Sequence, residues 1–279
     1  MNEPQETRTM AVFCDFENIA IGVEEQGDSQ KFDINRVLER ILLKGNIVVK
    51  KAYCDWSRYD RFKKAMHEAS FELIDIPHVR ISGKNSADIR MVVDALDLCY
   101  TKSHLDTFVI ISGDSDFSPL VSKLRENDKI VVGVGVKHST SDLLTSNCDE
   151  FIYYDDLIRL RQQRVKETKA SSAAKNPAGK GSSSRKPSPP SREKDKQEEA
   201  FNLVVETYEA LVEERGDNRK VWGSMVKQAL KRQKPGFNES YYGFSNWNDL
   251  LEKAEKRKLV KLESDEKSGG YIILGASSS

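Results

Sequence analysis

Long apolar runs are missing from this chain of 279 residues. No stretch approaches the ~18 consecutive apolar residues of a membrane-spanning helix, and the first ten residues are polar. That pattern argues against a membrane partner and predicts a soluble, cytoplasmic protein. Cysteine is scarce as well. Cys14, Cys54, Cys99 and Cys148 lie far apart without a CxxC pair, and His67, His78, His104 and His138 do not cluster with them. This argues against a structural zinc site and for a reducing compartment. The glycines form neither GxGxxG after the first strand-like run nor GxxxxGK[ST] anywhere, so the usual nucleotide-cofactor cradles have no support. Net charge is also lacking, because 44 basic residues balance 44 acidic ones. The balance conceals segregation: 20 basic against 27 acidic residues over 1–160, 11 against 3 over 161–196, and 13 against 14 beyond.

The basic middle, residues 161–196, is rich in Ser, Lys, Pro and Ala and nearly free of large apolar side chains. It cannot bury enough surface to offset ordering entropy and is expected to be a disordered tether, one whose charge suits a polyanion. Two domains are therefore predicted, over 8–160 and 197–275.

In the first, strand-like and helix-like segments alternate. Met10–Cys14 reads as a strand, followed by a turn. Phe32–Leu43 has Ile34, Val37, Leu38, Ile41 and Leu42 at helical spacing, and Asn46–Trp56 reads as a strand. Arg58–Ser70 is a charged amphipathic helix, and Phe71–Ile76 is a strand stopped by Pro77. A helix from Ser86 to about Tyr100, a strand at Phe108–Ile111 and a strand at Lys129–Gly135 follow. Such alternation implies an α/β, Rossmann-like parallel sheet with right-handed crossovers.

Two of these strands end in acids. Met10–Cys14 runs into Asp15-Phe16-Glu17-Asn18, and Phe108–Ile111 runs through Ser112-Gly113 into Asp114-Ser115-Asp116. Ligands of open α/β sheets sit beyond the carboxyl ends of the strands, where strand order reverses. Asp88, in the first turn of the helix after Ser86, is a further candidate, although a carboxylate there also suits the helix dipole. Asp94 and Asp97 lie about 240° and 180° around that helix from Asp88 and are assigned to a solvated or interface face. Carboxylates converging without fixed cationic partners repel one another unless a divalent cation intervenes, and all-oxygen ligation favours Mg²⁺ or Mn²⁺. Metal-assisted phosphodiester hydrolysis is the chemistry this pattern suggests.

The segments Phe13-Cys14-Asp15-Phe16-Glu17-Asn18, Lys84 with Ser86-Ala87-Asp88 and Asp94, and Ser112-Gly113-Asp114-Ser115-Asp116-Phe117 resemble the NYN domain. This is a PIN-like nuclease group that includes the LabA-like proteins. The resemblance implies a Mg²⁺- or Mn²⁺-dependent endoribonuclease fold, with Asp15, Asp88, Asp114 and Asp116 as the metal-binding catalytic acids and Asn18 beside them. It also admits a catalytically inactive RNA-binding regulator, since an intact motif is not proof of turnover.

Beyond the tether, helices are predicted over Glu199–Glu214, Val221–Arg232 and Trp247–Arg257, then a hairpin of Leu259–Leu262 and Tyr271–Leu274 about Gly269-Gly270. Three helices and a hairpin make a winged helix. Trp222-Gly223, Pro235-Gly236-Phe237 and Tyr242-Gly243-Phe244-Ser245-Asn246-Trp247 resemble the OST-HTH, or LOTUS, domain, which implies RNA as the partner. Lys227, Lys231, Arg232 and Lys234 would contact phosphates; Tyr242 and Phe244 would either stack on bases or, with Trp247, fill a small core. A homo-oligomer is compatible with the sequence.

Overall fold

The computed structural model describes residues 8–25, 32–77, 86–159, 189–216, 220–265 and 270–276. The chain divides into two compact units, Met1–Arg161 and Gln162–Ser279. Lys84 and Gly269, named above, lie outside the described residues, as does most of the expected tether.

In the first unit the elements are β1 (Arg8–Asp15), α1 (Phe16–Glu25), α2 (Ile34–Leu42), β2 (Gly45–Cys54), α3 (Asp60–Glu68) and β3 (Glu72–Asp75). Then come α4 (Ser86–Thr101), β4 (Thr107–Ile111), α5 (Ser118–Glu126), β5 (Ile130–Gly135), α6 (Asp142–Asn147), β6 (Glu150–Tyr153) and the helical residues 154–159, α7. All six strands are parallel, in the order β3-β2-β1-β4-β5-β6. The α/β class is therefore as expected, with one helix added. The residues after Asp15 form α1 rather than a turn, and they bury Phe16, Ile19, Ala20 and Val23.

Alternation along the central strands divides the core in two. Met10, Val12 and Cys14 of β1 join Val109 and Ile111 of β4 on one face, where Phe16 packs among Phe32, Trp56, Tyr59 and Phe62. Ala11 and Phe13 join Phe108 and Ile110 on the other, against Met91, Ala95 and Cys99 of α4. A strand covered on both faces needs an unbroken apolar run, which is what MAVFC and FVII supply. With side chains locked on both faces, the carboxyl ends of β1 and β4 hold their acids on a rigid base. Strand order reverses between these two strands.

The second unit contains α8 (Pro189–Arg215), β7 (Val221–Trp222), α9 (Gly223–Gln233), α10 (Trp247–Lys256), β8 (Val260–Asp265) and β9 (Gly270–Ala276). Strand β9 lies between β7 and β8 and is antiparallel to both, giving a winged-helix arrangement. Two boundaries differ from expectation. Residues 189–196, assigned above to a disordered tether, are the first turns of α8. Val221 and Trp222 form a strand paired with Ile273 and Ile272 rather than the start of a helix, because β9 offers an edge that the local sequence does not reveal. Between α9 and α10 a 3-10 turn, Glu239–Tyr242, ends at Gly243 in the left-handed conformation (φ 81°), which glycine adopts without strain.

Candidate active site

Asp15 closes β1 with its side chain turned into protein and is only 8% exposed. The Ser112 hydroxyl at the end of β4 donates to Asp15 Oδ2 at 2.9 Å, and the Asn18 backbone N–H reaches Oδ1 at 3.4 Å. Ser112 Oγ also accepts from the Asp114 N–H at 3.2 Å. One buried hydroxyl therefore ties the acid of β1 to the loop that carries the next acid. Asp114 then caps the short 3-10 turn Ser115–Phe117 by accepting from the Asp116 N–H at 2.9 Å. The turn is anchored by fully buried Phe117 and leaves Asp116 exposed.

Asn18 acts as a clamp. Its side-chain oxygen accepts the Gly113 N–H at 2.8 Å, so α1 is stapled to the β4 loop and that oxygen is committed. Gly113 is required by space. A Cβ there would stand 2.6 Å from the Ser139 carbonyl and 3.0 Å from Thr140 Cα, and the Gly113 carbonyl accepts from the Ser141 N–H at 2.9 Å.

Electrostatics join Asp88 to this group. Burial, then the nearby charge of Asp88, raises the Asp15 pKa to about 7 despite the hydrogen bonds from Ser112 and Asn18. Burial, then Asp114, Asp116 and Glu17, raises that of Asp88 to about 6. The expected acids are therefore neighbours that disfavour one another's ionisation, and the strongest influences on them are desolvation and other carboxylates. Among the described residues no three His, Cys, Asp or Glu side chains form a ready-made metal cluster. The spaced, all-oxygen donor set still fits Mg²⁺ or Mn²⁺, because such an ion keeps several waters and takes only one or two carboxylates plus substrate phosphate.

Two residues of this neighbourhood carried no role in the sequence. Ser112 served only as a strand break, although a hydroxyl beside Asp15 across parallel strands is the expected product of pairing β1 with β4. Glu17 faces Arg58, whose Nη1 donates at 2.7 Å. Asp94 is structural: it accepts from Tyr53 Oη at 2.9 Å, Arg90 Nε at 3.0 Å and Lys51 Nζ at 3.3 Å. Burial opposes its charge, yet these donors keep its pKa below the ordinary value.

In the second unit the expected RNA contacts divide. Phe244 is 2% exposed and packs edge-on to Phe201 with centroids 5.3 Å apart, so it is a core residue and cannot stack on a base. Tyr242 is half-buried, stacked on Phe237 at 5.3 Å, while its neighbour Tyr241 is 61% exposed. Lys227 forms an ion pair with Glu239 at 2.8 Å. Arg232 is half-buried and its pKa is lowered by desolvation, whereas Lys231 is exposed.

A parallel α/β sheet with an acid-lined switch point defines a Rossmann-like protein of the PIN-like type. Residues 9–156, more than half of the chain, match the NYN domain model, and the chain belongs to that family. It is 26% identical over 137 residues, 49% of its length, to an uncharacterized protein of Methanocaldococcus jannaschii, covering 54% of that protein. It is 25% identical over 150 residues, 53% of its length, to the Meiosis regulator and mRNA stability factor 1 of Xenopus tropicalis, covering 9% of it. The crystal structure of a protein of unknown function from Vibrio parahaemolyticus aligns with TM-score 0.48 and 24% identity over 55% of this chain and 96% of the other. The chain thus spans about half the length of one of these curated relatives and a small part of the other. Among the described residues no helix is long and apolar enough to cross a membrane.

Proposed function

We propose that the first unit is a metal-dependent endoribonuclease and that the second, a LOTUS-like winged helix, captures the RNA. The observation that carries this is the set of acids at the β1/β4 switch point, where burial and then neighbouring carboxylates raise the pKa of Asp15 to about 7 and that of Asp88 to about 6. Asp15, Asp88, Asp114 and Asp116 would hold Mg²⁺ or Mn²⁺, which when bound polarises a phosphodiester and acidifies a water. Ser112 keeps Asp15 oriented by donating to Oδ2, and Asn18 holds the Gly113 backbone so that Asp114 and Asp116 keep their positions. Membership of the NYN family supports the nuclease class, and a relative named for mRNA stability supports RNA as the substrate.

In the second unit Lys231 and exposed Tyr241 supply charge and a stacking face, and effective concentration at the cutting site follows from joining the units in one chain. The test is incubation of the purified full chain with labelled single-stranded RNA, with Mn²⁺, with Mg²⁺ and with chelator. Metal-dependent internal cleavage is expected, and no cleavage with either ion would favour an RNA-binding regulator with an idle acidic site.

A further inference from the structure

Helix α4 has two apolar faces. One, built from Met91, Ala95 and Cys99, is buried against the sheet. The other is open: Ile89, Val93 and Tyr100 are 62%, 56% and 64% exposed, and half-buried Leu96 lies between them. At ~100° per residue these four side chains fall within roughly 60° of one another, forming a seam about 17 Å long at 1.5 Å per residue. Spacings of four, three and four residues are those of helix-helix packing. Tyr100 is held in place, since its hydroxyl accepts from Asn127 Nδ2 of the α5 cap at 3.3 Å.

We propose that this seam packs antiparallel against the same seam of a second copy, about a two-fold axis that passes between Asp94 and Ala95. Ile89 of each copy then faces Tyr100 of the other, and Val93 faces Leu96. The charges choose this occupant and this direction. Arg90 and Asp97 lie on the same flank of the seam, about 20° apart around the helix, one towards each end. A two-fold axis perpendicular to the helix pair keeps that flank on one side, so Arg90 of each copy comes beside Asp97 of the other, offset by about 3 Å along the axis. A parallel two-fold would put the two flanks on opposite sides of the seam, and these pairs would not form. Arg90 uses Nε for Asp94, and its guanidinium carries further donors for a second carboxylate. Asp97 is exposed.

Four side chains per copy bury less than the ~800 Å² per partner of a standard interface, so the dimer is expected to dissociate in the micromolar range. Asp88 lies on the same helix, and the pairing sets the two Asp88 residues about 20 Å apart along the helix axes. The dimer does not depend on the nuclease reading.

Sedimentation of the full chain between about 1 and 100 µM tests it. The mass should rise with concentration from 31.6 kDa towards twice that value. Val93→Asp should remain monomeric throughout while melting at the same temperature as the parent, because its site is exposed. Arg90→Glu and Asp97→Lys should each weaken association at least about tenfold, and the double variant should restore it. A parent that stays at 31.6 kDa, a Val93→Asp dimer as tight as the parent, or a double variant no tighter than its singles would overturn the proposal.

Discussion

The two units treat their charged groups differently. Around Asp15, burial and then the charge of Asp88 favour the protonated form, against the hydrogen bonds from Ser112 and Asn18. In the second unit opposite charges are paired locally: Lys227 with Glu239, Lys253 with Asp249, Arg257 with Glu198. Cations there also cover rings, with Lys253 5.2 Å from the Phe244 centroid and Arg257 4.9 Å from that of Phe201. Unrelieved repulsion is costly to a fold and remains useful where a cation will relieve it. Charges already satisfied stabilise a small domain and leave few of them for a polyanion.

The contrast is broken most severely by Asp114→Asn, which keeps shape and removes charge. If the acids hold a catalytic ion as proposed, RNA cleavage by the full chain should fall more than about a thousandfold with RNA affinity nearly unchanged, because several kcal/mol of transition-state stabilisation would rest on that ion. A gel assay beside a binding titration checks both. Phe244→Ala should lower the stability of the second unit by about 3–5 kcal/mol in chemical denaturation, the cost of emptying a buried aromatic site. If it weakened RNA binding without a stability loss, Phe244 would be a contact after all.

Asp15→Asn should stabilise the metal-free protein at pH 8 by an amount on the order of 2 kcal/mol. The folded pKa of about 7 lies above the carboxyl's ordinary value of 3.8, so the folded state binds the extra proton between these values and stability falls as pH rises through them. The variant should show a flatter profile over that window in thermal melts, and a profile identical to the parent's would remove Asp15 from the account. The smallest effect distinguishes the lysines. Lys231→Ala should reduce the slope of log affinity against log salt by about 0.7, and Lys227→Ala by less, because Lys227 already faces Glu239.

The strand-end acids were legible because an apolar run followed by Asp is a local pattern, and both central strands display it. Helix α1 was missed although Phe16, Ile19, Ala20 and Val23 stand at i, i+3, i+4 and i+7, because the acid and amide of Asp15-Phe16-Glu17-Asn18 drew the reading to a turn. Which aromatic is buried was not legible either. Tyr241 and Phe244 are three residues apart and alike in sequence terms, yet Phe244 is covered by Phe201 from α8 and Tyr241 is not. The same holds for Asn18. Its type suggested an active-site amide, but its partner is a backbone N–H 95 residues away that only the pairing of β1 with β4 brings near.

That separation has a consequence for timing. The Ser112–Asp15 hydrogen bond spans 97 residues and the Asn18–Gly113 bond 95, so neither can form until β4 has been synthesised and docked beside β1. A growing chain on the ribosome that has made β1, β2 and β3 holds Asp15 without its orienting hydroxyl and without Asp114 or Asp116. The acidic group is thereby assembled late, only once β4 has docked beside β1.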